Sequence, residues 1–466
     1  MRGNKPQTVG ALAASGHEVL PVRAELRRNL MRKIQAKETL FPGIIGFEDT
    51  VIPQLENALL SGQDMILLGE RGQAKSRLIR SLVSLLEEEV PFIAGCEIND
   101  NPYAPICRAC RDKVAEQGEN TPISWLPREQ RYAEKLATPD ISIADLIGEV
   151  DPIRVAEGRY LSDELTIHYG LIPRTNRGIF SINELPDLAE RIQVGLFNLM
   201  EERDVQIKGY RIRLPLDVVV VASANPEDYT NRGRIITPLK DRYGALVRTH
   251  YPTTLADEIT IMEQERSRFQ DAEERVHVPP YMREIIAEFT SLARHSPDIN
   301  QRSGVSVRVS IANYESIIAN ALRRALRLGE RGAAPRISDL RAMVTSTVGK
   351  IEMESIEEGR EGRLIEDLTK KAVLNVFGRY FNVRQFDSLV QQFEQGLTME
   401  TGEDMTSTEY VKSVARLEGI SQAARRLGAG ESAELVASAV EFVLEGLHLN
   451  RRLNRDRVEG GYRYKG

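Results

Sequence analysis

Leu68–Ser76 reads "LGERGQAKS", and the fold turns on how this stretch is read. A short apolar run, "DMILLG", leads into it from Asp64. After it comes "KSRLIRSLVSLLEEE", whose apolar spacing is helical. Strand, glycine loop and helix together form the setting of a phosphate-binding loop, G-x-x-x-x-G-K-[ST]. Such a loop turns backbone N–H groups inward onto phosphate oxygens, and Gly69 and Gly72 allow that turn. Lys75 would reach the β- and γ-phosphates, and the Ser76 hydroxyl would hold Mg2+. A helix starting near Lys75 adds its positive dipole end. Ala74 stands where the pattern has its second glycine. If that position needs a positive φ, alanine costs roughly 1 kcal/mol relative to glycine.

A hydrolytic site of this kind requires a second apolar strand ending in acids. "GIFSIN", Gly178–Asn183, ends in Asn183-Glu184. Asn183 can orient a metal-bound water but brings no charge, while Glu184 can polarise the attacking water. "VVVVASAN" is a β-branched run typical of a central parallel strand, and it ends in Asn225, a second group able to orient that water. Between these strands "VQIKGYRIRLP" reads as a hairpin turning at Lys208-Gly209. Arg232, Arg234, Arg242 and Arg248 follow. An arginine reaching a neighbouring subunit's phosphates would stabilise the transferring group, although any one of these arginines taken singly reads as a surface ion-pair partner.

The chain has 466 residues, enough for two to four domains. A net charge of -6 with interspersed signs argues against a dedicated nucleic-acid binder. The basic clusters at Arg23, Arg27, Arg28, Arg32 and Lys33 and in "NRRLNRDR" near the C-terminus read as solvated helix faces. No apolar run has transmembrane length, and three cysteines are too few for a disulfide framework, so a reducing, cytoplasmic setting is expected. Residues 95–140 lack a clean period and read as an insertion. From Pro252 the pattern is helical throughout, with Thr406 and Glu409 fitting a capping box. Strands alternating with helices to about residue 250, then helices alone, predict an α/β nucleotide domain followed by α-helical domains.

Cys96, Cys107 and Cys110 lie within "CEINDNPYAPICRAC". Three thiolates at this spacing can share a structural Zn2+, with His168 or an acid as the fourth ligand; the alternative is reduced structural thiols.

Several blocks, in their order and spacing, resemble the AAA+ ATPases of the magnesium-chelatase I-subunit and MoxR group. They are "FPGIIGFEDTVIPQLENALLSGQDMILLGERGQAKSRLIRSL", "DLIGEVD", "YGLIPRTNRGIFSINELPDL", "VVVVASANPED" and "PLKDRYGALV". The resemblance covers residues 36–350 and implies an α/β P-loop domain with a central parallel sheet of strand order 5-1-4-3-2. An α-helical lid would follow, and the helix-patterned residues beyond the resemblance are expected to form an extra C-terminal helical domain. The expected division, which extends beyond the part covered by the resemblance, is 1–35 as an N-terminal extension and 36–250 as the nucleotide domain. That domain would carry the cysteine-containing insertion and a helix-2 insert at about 141–177. The lid would span 251–352 and the helical extension 353–466. The resemblance further implies a ring, usually a hexamer, with ATP and Mg2+ between subunits. Ile44 and Ile45 would line the adenine pocket. Gly69, Glu70, Arg71, Gly72, Gln73, Ala74, Lys75 and Ser76 would form Walker A, with Arg77 beside it; Asn183 and Glu184 would form Walker B. Asn225 would be the first sensor, Arg242 the arginine finger with Arg234 second, and Arg308 the second sensor. Members of the group remodel or mature other proteins, or drive metal insertion into a porphyrin. They often act with a von Willebrand A-type partner, here expected to be a separate protein. The expected function is an ATP-driven protein remodeller; the alternatives are a chelatase motor and a nucleotide-gated scaffold with little turnover.

Overall fold

A computed structural model describes residues 5–151, 153, 164–201, 204–206, 213–226, 234–301, 303–354, 360–414 and 417–466. The chain divides into two compact units, Met1–His250 and Tyr251–Gly466.

The first unit contains β1 (Met65–Leu68), β2 (Glu89–Ile93), β3 (Ile123–Pro127), β4 (Tyr132–Leu136), β5 (Gly148–Val150), β6 (Ile167–Tyr169), β7 (Gly178–Asn183), β8 (Asp204–Gln206), β9 (Arg213–Pro215), β10 (Val218–Ala224) and β11 (Ala245–Arg248). Five of them form one parallel sheet in the order β11-β1-β10-β7-β4. Counted along the chain, this is 5-1-4-3-2, the expected order. Every residue of β7 and β10 is buried, which explains their unbroken apolar runs: a parallel sheet is covered on both faces. Alternate side chains sort to opposite cores. Ile66, Phe180, Ile182, Val220 and Ala222 face one cluster; Met65, Leu67, Ile179, Val219 and Val221 face the other. The helices Val22–Gln35, Val51–Leu60 and Lys75–Ser81 line the second face.

Three expectations change here. The helix Val22–Gln35 falls within the expected N-terminal extension, yet it walls the sheet. Val22, Leu26 and Leu30 are buried, and Arg23 donates to Asp64 (2.7 Å) and to the Val218 carbonyl (3.0 Å). Of its basic residues, Arg27, Arg28 and Arg32 are exposed. The expected insertion at 95–140 contains the edge strand of the central sheet, β4, as well as β3, which pairs antiparallel with β2. An edge strand buries little, so β4 carries no apolar run to announce it. The helix from Lys75 stops at Ser81, passes through the 3-10 turn Leu82–Leu85, and gives way to β2, because Val90 must pair with Leu126. The β8–β9 hairpin pairs Asp204 with Pro215 and Gln206 with Arg213; its turn at Lys208-Gly209, like Arg232, lies outside the described residues.

The second unit is mainly helical. Val276, Ala321, Ala325 and Ala333 form a small hydrophobic cluster. The larger one runs from Met262 to Tyr464, so residues on either side of the expected boundary at 352/353 share a core. At its centre the helix Ala433–Leu449 is buried continuously from Ala437 to Leu447. Helix Ser407–Val414 opens with the expected capping box: Thr406 N–H donates to Glu409 Oε2 (2.7 Å), and Glu409 N–H to Thr406 Oγ1 (3.3 Å). The unit is not wholly helical. β12 (Met399–Gly402), β13 (Asn454–Val458) and β14 (Gly461–Lys465) form an antiparallel sheet in the order β12-β14-β13. The terminal basic run therefore leads into a hairpin. Gly460, at φ 74°, makes its turn, and Gly461 lies so close to the Thr401 carbonyl that a Cβ would collide with it.

Candidate active site

The loop after β1 is wound as its glycines demand. Gly72 has φ 77°, and Ala74, directly before the helix Lys75–Ser81, has φ 55° and ψ 15°. Two left-handed residues in one short loop turn successive N–H groups to a common side, which forms an anion-binding concavity. Ala74 does occupy a left-handed conformation, so its methyl carries the strain anticipated from the sequence. Gly69 is required for a different reason, because a Cβ there would overlap the Thr249 hydroxyl and the Gln73 side chain. Those two groups lock the loop base: Thr249 Oγ1 donates to Gln73 Oε1 at 2.7 Å, and Gln73 Nε2 donates to Glu70. Ser76 is half-buried, and Arg71 and Arg77 are exposed. Lys75 is buried, and its ammonium donates to the Glu70 carbonyl (2.9 Å) and to Asn225 Oδ1 (2.7 Å).

Asn225 connects this ammonium to the acid side of the site. Its Nδ2 donates to Glu184 Oε2 at 2.5 Å. Glu184 has φ 56°, which turns the chain sharply off the end of β7, and its N–H donates to Ser223 Oγ at 3.2 Å. The Ser223 hydroxyl donates in turn to Asn183 Oδ1 at 3.3 Å. Lys75, Asn183, Glu184 and Asn225, named from three separate sequence segments, thus converge at the carboxyl ends of β1, β7 and β10. Ligands bind there in open α/β sheets.

Sequence reasoning missed Glu134 on β4. Asn183 Nδ2 donates to its carboxylate. Arg80 holds that carboxylate with Nε and a terminal nitrogen, both at 2.8 Å, and the Tyr132 hydroxyl donates to it at 2.9 Å. The Arg80 hydrogen bonds, opposed by partial burial, hold the Glu134 carboxyl below the usual glutamate value. A fixed negative charge therefore stands beside the asparagine that lacks one. Nothing in "YAEKL" signals this, because the contact depends on the pairing of β4 with β7.

The remaining candidates in the first unit have other contacts, and Arg308 belongs to the second unit. Arg242 bonds within its own unit, donating to Glu201 Oε2 (3.0 Å) and to the Pro238 carbonyl (2.8 Å), and lies over the Phe197 ring at 4.8 Å. Arg234 is exposed and 3.5 Å from Glu190. Ile44 is buried among Leu40, Phe41 and Phe47, and Ile45 is half-exposed. Arg308 is exposed in the first turn of the helix Val307–Leu328 of the second unit. Cys96, Cys107 and Cys110 do come together. The acid beside them is Asp100, from the same stretch; His168 is not in the group and lies 3.5 Å from Arg174. Among the described residues no helix is long and apolar enough to cross a membrane.

No family model matches the chain. It is similar to the magnesium-chelatase subunit ChlI of Nostoc sp. (strain PCC 7120), at 25% identity over 394 residues, 79% of this chain and 97% of that protein. The magnesium-chelatase 38 kDa subunit of Rhodobacter capsulatus is 28% identical over 233 residues, 48% of this chain and 59% of that protein. Among solved structures, a model of the complex between the BchI and BchD subunits of magnesium chelatase overlaps with a TM-score of 0.36 at 20% identity, covering 70% of this chain and 98% of the other. With its sheet order and its similarity to ChlI over most of both chains, the chain resembles the AAA+ ATPases of the magnesium-chelatase I-subunit and MoxR group.

Proposed function

We propose that the chain is a ring-forming AAA+ ATPase that couples ATP binding and hydrolysis to the remodelling of a protein partner. One observation carries the reading: the hydrogen-bonded path from the Lys75 ammonium through Asn225 to the Glu184 carboxylate, at the mouth of a loop wound to receive phosphate. The residues present fit a Mg2+–triphosphate. Lys75 supplies a buried cation, the left-handed pair Gly72 and Ala74 a concavity of N–H groups, and Ser76 and Asn183 oxygen ligands. Bound Mg2+ would neutralise charge on the phosphate oxygens. Glu184 takes the proton of the attacking water, and Asn225 fixes the orientation of that carboxylate. Arg242, with Arg234 second, is assigned to complete the site from a neighbouring copy. Arg308 is assigned to the γ-phosphate and Ile44 and Ile45 to adenine. The proposed assembly is a cytoplasmic hexamer acting with a separate von Willebrand A-type protein.

Phosphate release per chain tests this directly. Glu184→Gln should lower turnover by about 100-fold or more while nucleotide binding persists, since a positioned base contributes roughly 10²–10⁴. Failure of the purified chain to take up adenine nucleotide at millimolar concentration would overturn the reading. If ATP drives assembly but Glu184→Gln changes little, the chain is a nucleotide-gated scaffold instead. A chelatase motor is the second reading, supported by similarity to ChlI over 79% of the chain. It requires metal insertion into a porphyrin when two companion subunits are added.

A further inference from the structure

The four groups contributed by Cys96, Asp100, Cys107 and Cys110 have no part in nucleotide chemistry. One ligand atom from each can be chosen so that all four lie within 4.8 Å of one another. Cys96 leaves the turn after β2, Cys107 directly precedes the helix Arg108–Gln117, and Cys110 sits in its first turn. Cys107 and Cys110 are buried, and Asp100 is completely so. No two of the cysteines are joined in a disulfide.

Asp100 gives the cluster its direction. Oδ2 accepts the N–H groups of Ile106 (3.1 Å) and Cys107 (3.0 Å), which fixes the carboxylate plane. Oδ1 is buried and has no hydrogen-bond partner. A buried, orphaned carboxylate oxygen costs several kcal/mol unless something outside the protein's own donors satisfies it. The three cysteine sulfurs lie within 4.8 Å of a carboxylate oxygen of this residue. Three thiolates and one carboxylate oxygen form a ligand set that Zn2+ takes tetrahedrally. Tetrahedral sulfur ligands at about 2.3 Å from zinc stand about 3.8 Å apart, so a contraction of about 1 Å closes the shell. The hydrogen bonds to Oδ2 are the outer-shell support that a metal-bound carboxylate needs. The Asp100 N–H donates to Cys96 Sγ at 3.3 Å, and the buried Arg177 donates to the Asn99 carbonyl at 3.3 Å, placing positive charge near a ligand set of net negative charge.

We propose that Cys96, Asp100, Cys107 and Cys110 bind one structural Zn2+, which ties the turn after β2 to the start of the helix Arg108–Gln117. The site is closed, with four protein ligands, and so braces the fold without catalysing a reaction.

The experiment uses the full chain. Elemental analysis after dialysis should find one zinc per chain. Replacement by Co2+ should give thiolate-to-cobalt charge-transfer absorption and the visible bands of a tetrahedral site. Cys110→Ser should remove both signals. Asp100→Asn keeps an oxygen for the two N–H groups, and so serves if the serine variant fails to fold; it should weaken metal affinity by about tenfold or more. Thiol reactivity of the unsubstituted native chain gives an independent readout: the cysteines should react slowly, then quickly once a chelator is added. Zinc below about 0.1 per chain, with no tetrahedral cobalt spectrum and thiol rates indifferent to chelator, overturns the proposal. None of these measurements involves ATP turnover.

Discussion

At the scale of single residues, the unusual members of the candidate nucleotide site can be read as energies. Ala74 lies at φ 55°, where an L side chain costs roughly 1–2 kcal/mol. Glycine removes that strain but gives back about 0.4–1 kcal/mol through its looser unfolded state. Ala74→Gly should therefore raise unfolding stability by only about 0.5 kcal/mol, whereas Ala74→Val should lower it; denaturant titration decides both. The Asn183 amide donates to Glu134, a bond an ionised aspartate could not make. Asn183→Asp should set two carboxylates side by side. It should lower stability without Mg2+ and raise Mg2+ affinity, read by thermal melts across a magnesium series. Glu134 also sets a pH dependence. Its folded pKa is depressed by Arg80, so its contribution is fully present above the ordinary glutamate value and is lost as pH falls through the depressed one. Glu134→Gln should flatten that acid limb of the stability curve.

At the scale of elements, buried polar pairs join pieces that hydrophobic pattern alone does not order. Arg131, 1% exposed, grips Glu25 of the helix Val22–Gln35 with two hydrogen bonds of 2.7 and 2.6 Å, and its Nε donates to the Arg177 carbonyl. Arg131→Met would strand a buried carboxylate and should cost about 3–5 kcal/mol; replacing both partners with apolar residues should cost much less. In the second unit Gly446 lies against the Phe377 ring, where a Cβ would overlap the ring atoms. Gly446→Ala should destabilise by about 1–3 kcal/mol, because the ring is held among Phe381, Phe386 and Phe442 and has nowhere to move. β7 and β10 were legible because burial on both faces leaves unbroken apolar runs. β4 and the terminal hairpin were not, since β4 has no fully buried position, the hairpin strands have only Gly461 and Tyr464, and the charged remainder has no period.

At the scale of the whole molecule, the five-stranded order β11-β1-β10-β7-β4 brings the site together: it puts β1 between β11, which leads to Thr249, and β10, which leads to Asn225, with β7 next in line. If Arg242 completes a neighbour's site, Arg242→Ala should abolish turnover in the homo-oligomer while leaving nucleotide binding intact. Mixing it with Glu184→Gln should restore part of the activity, because mixed boundaries then pair a sound base with a sound arginine; phosphate release from the mixture is the check. The amino-acid sequence by itself determined the strand–loop–helix corner at Lys75, the two buried central strands and the acid and amide at their ends. Local chain geometry and two-faced burial leave marks on consecutive residues. Only the tertiary structure decided that Glu134 stands beside Asn183, that Asp100 joins the three cysteines, and that the helix Val22–Gln35 is part of the first core. Those contacts come from register and packing between distant segments, and a charged or edge residue carries no periodic signature of the partner it will meet.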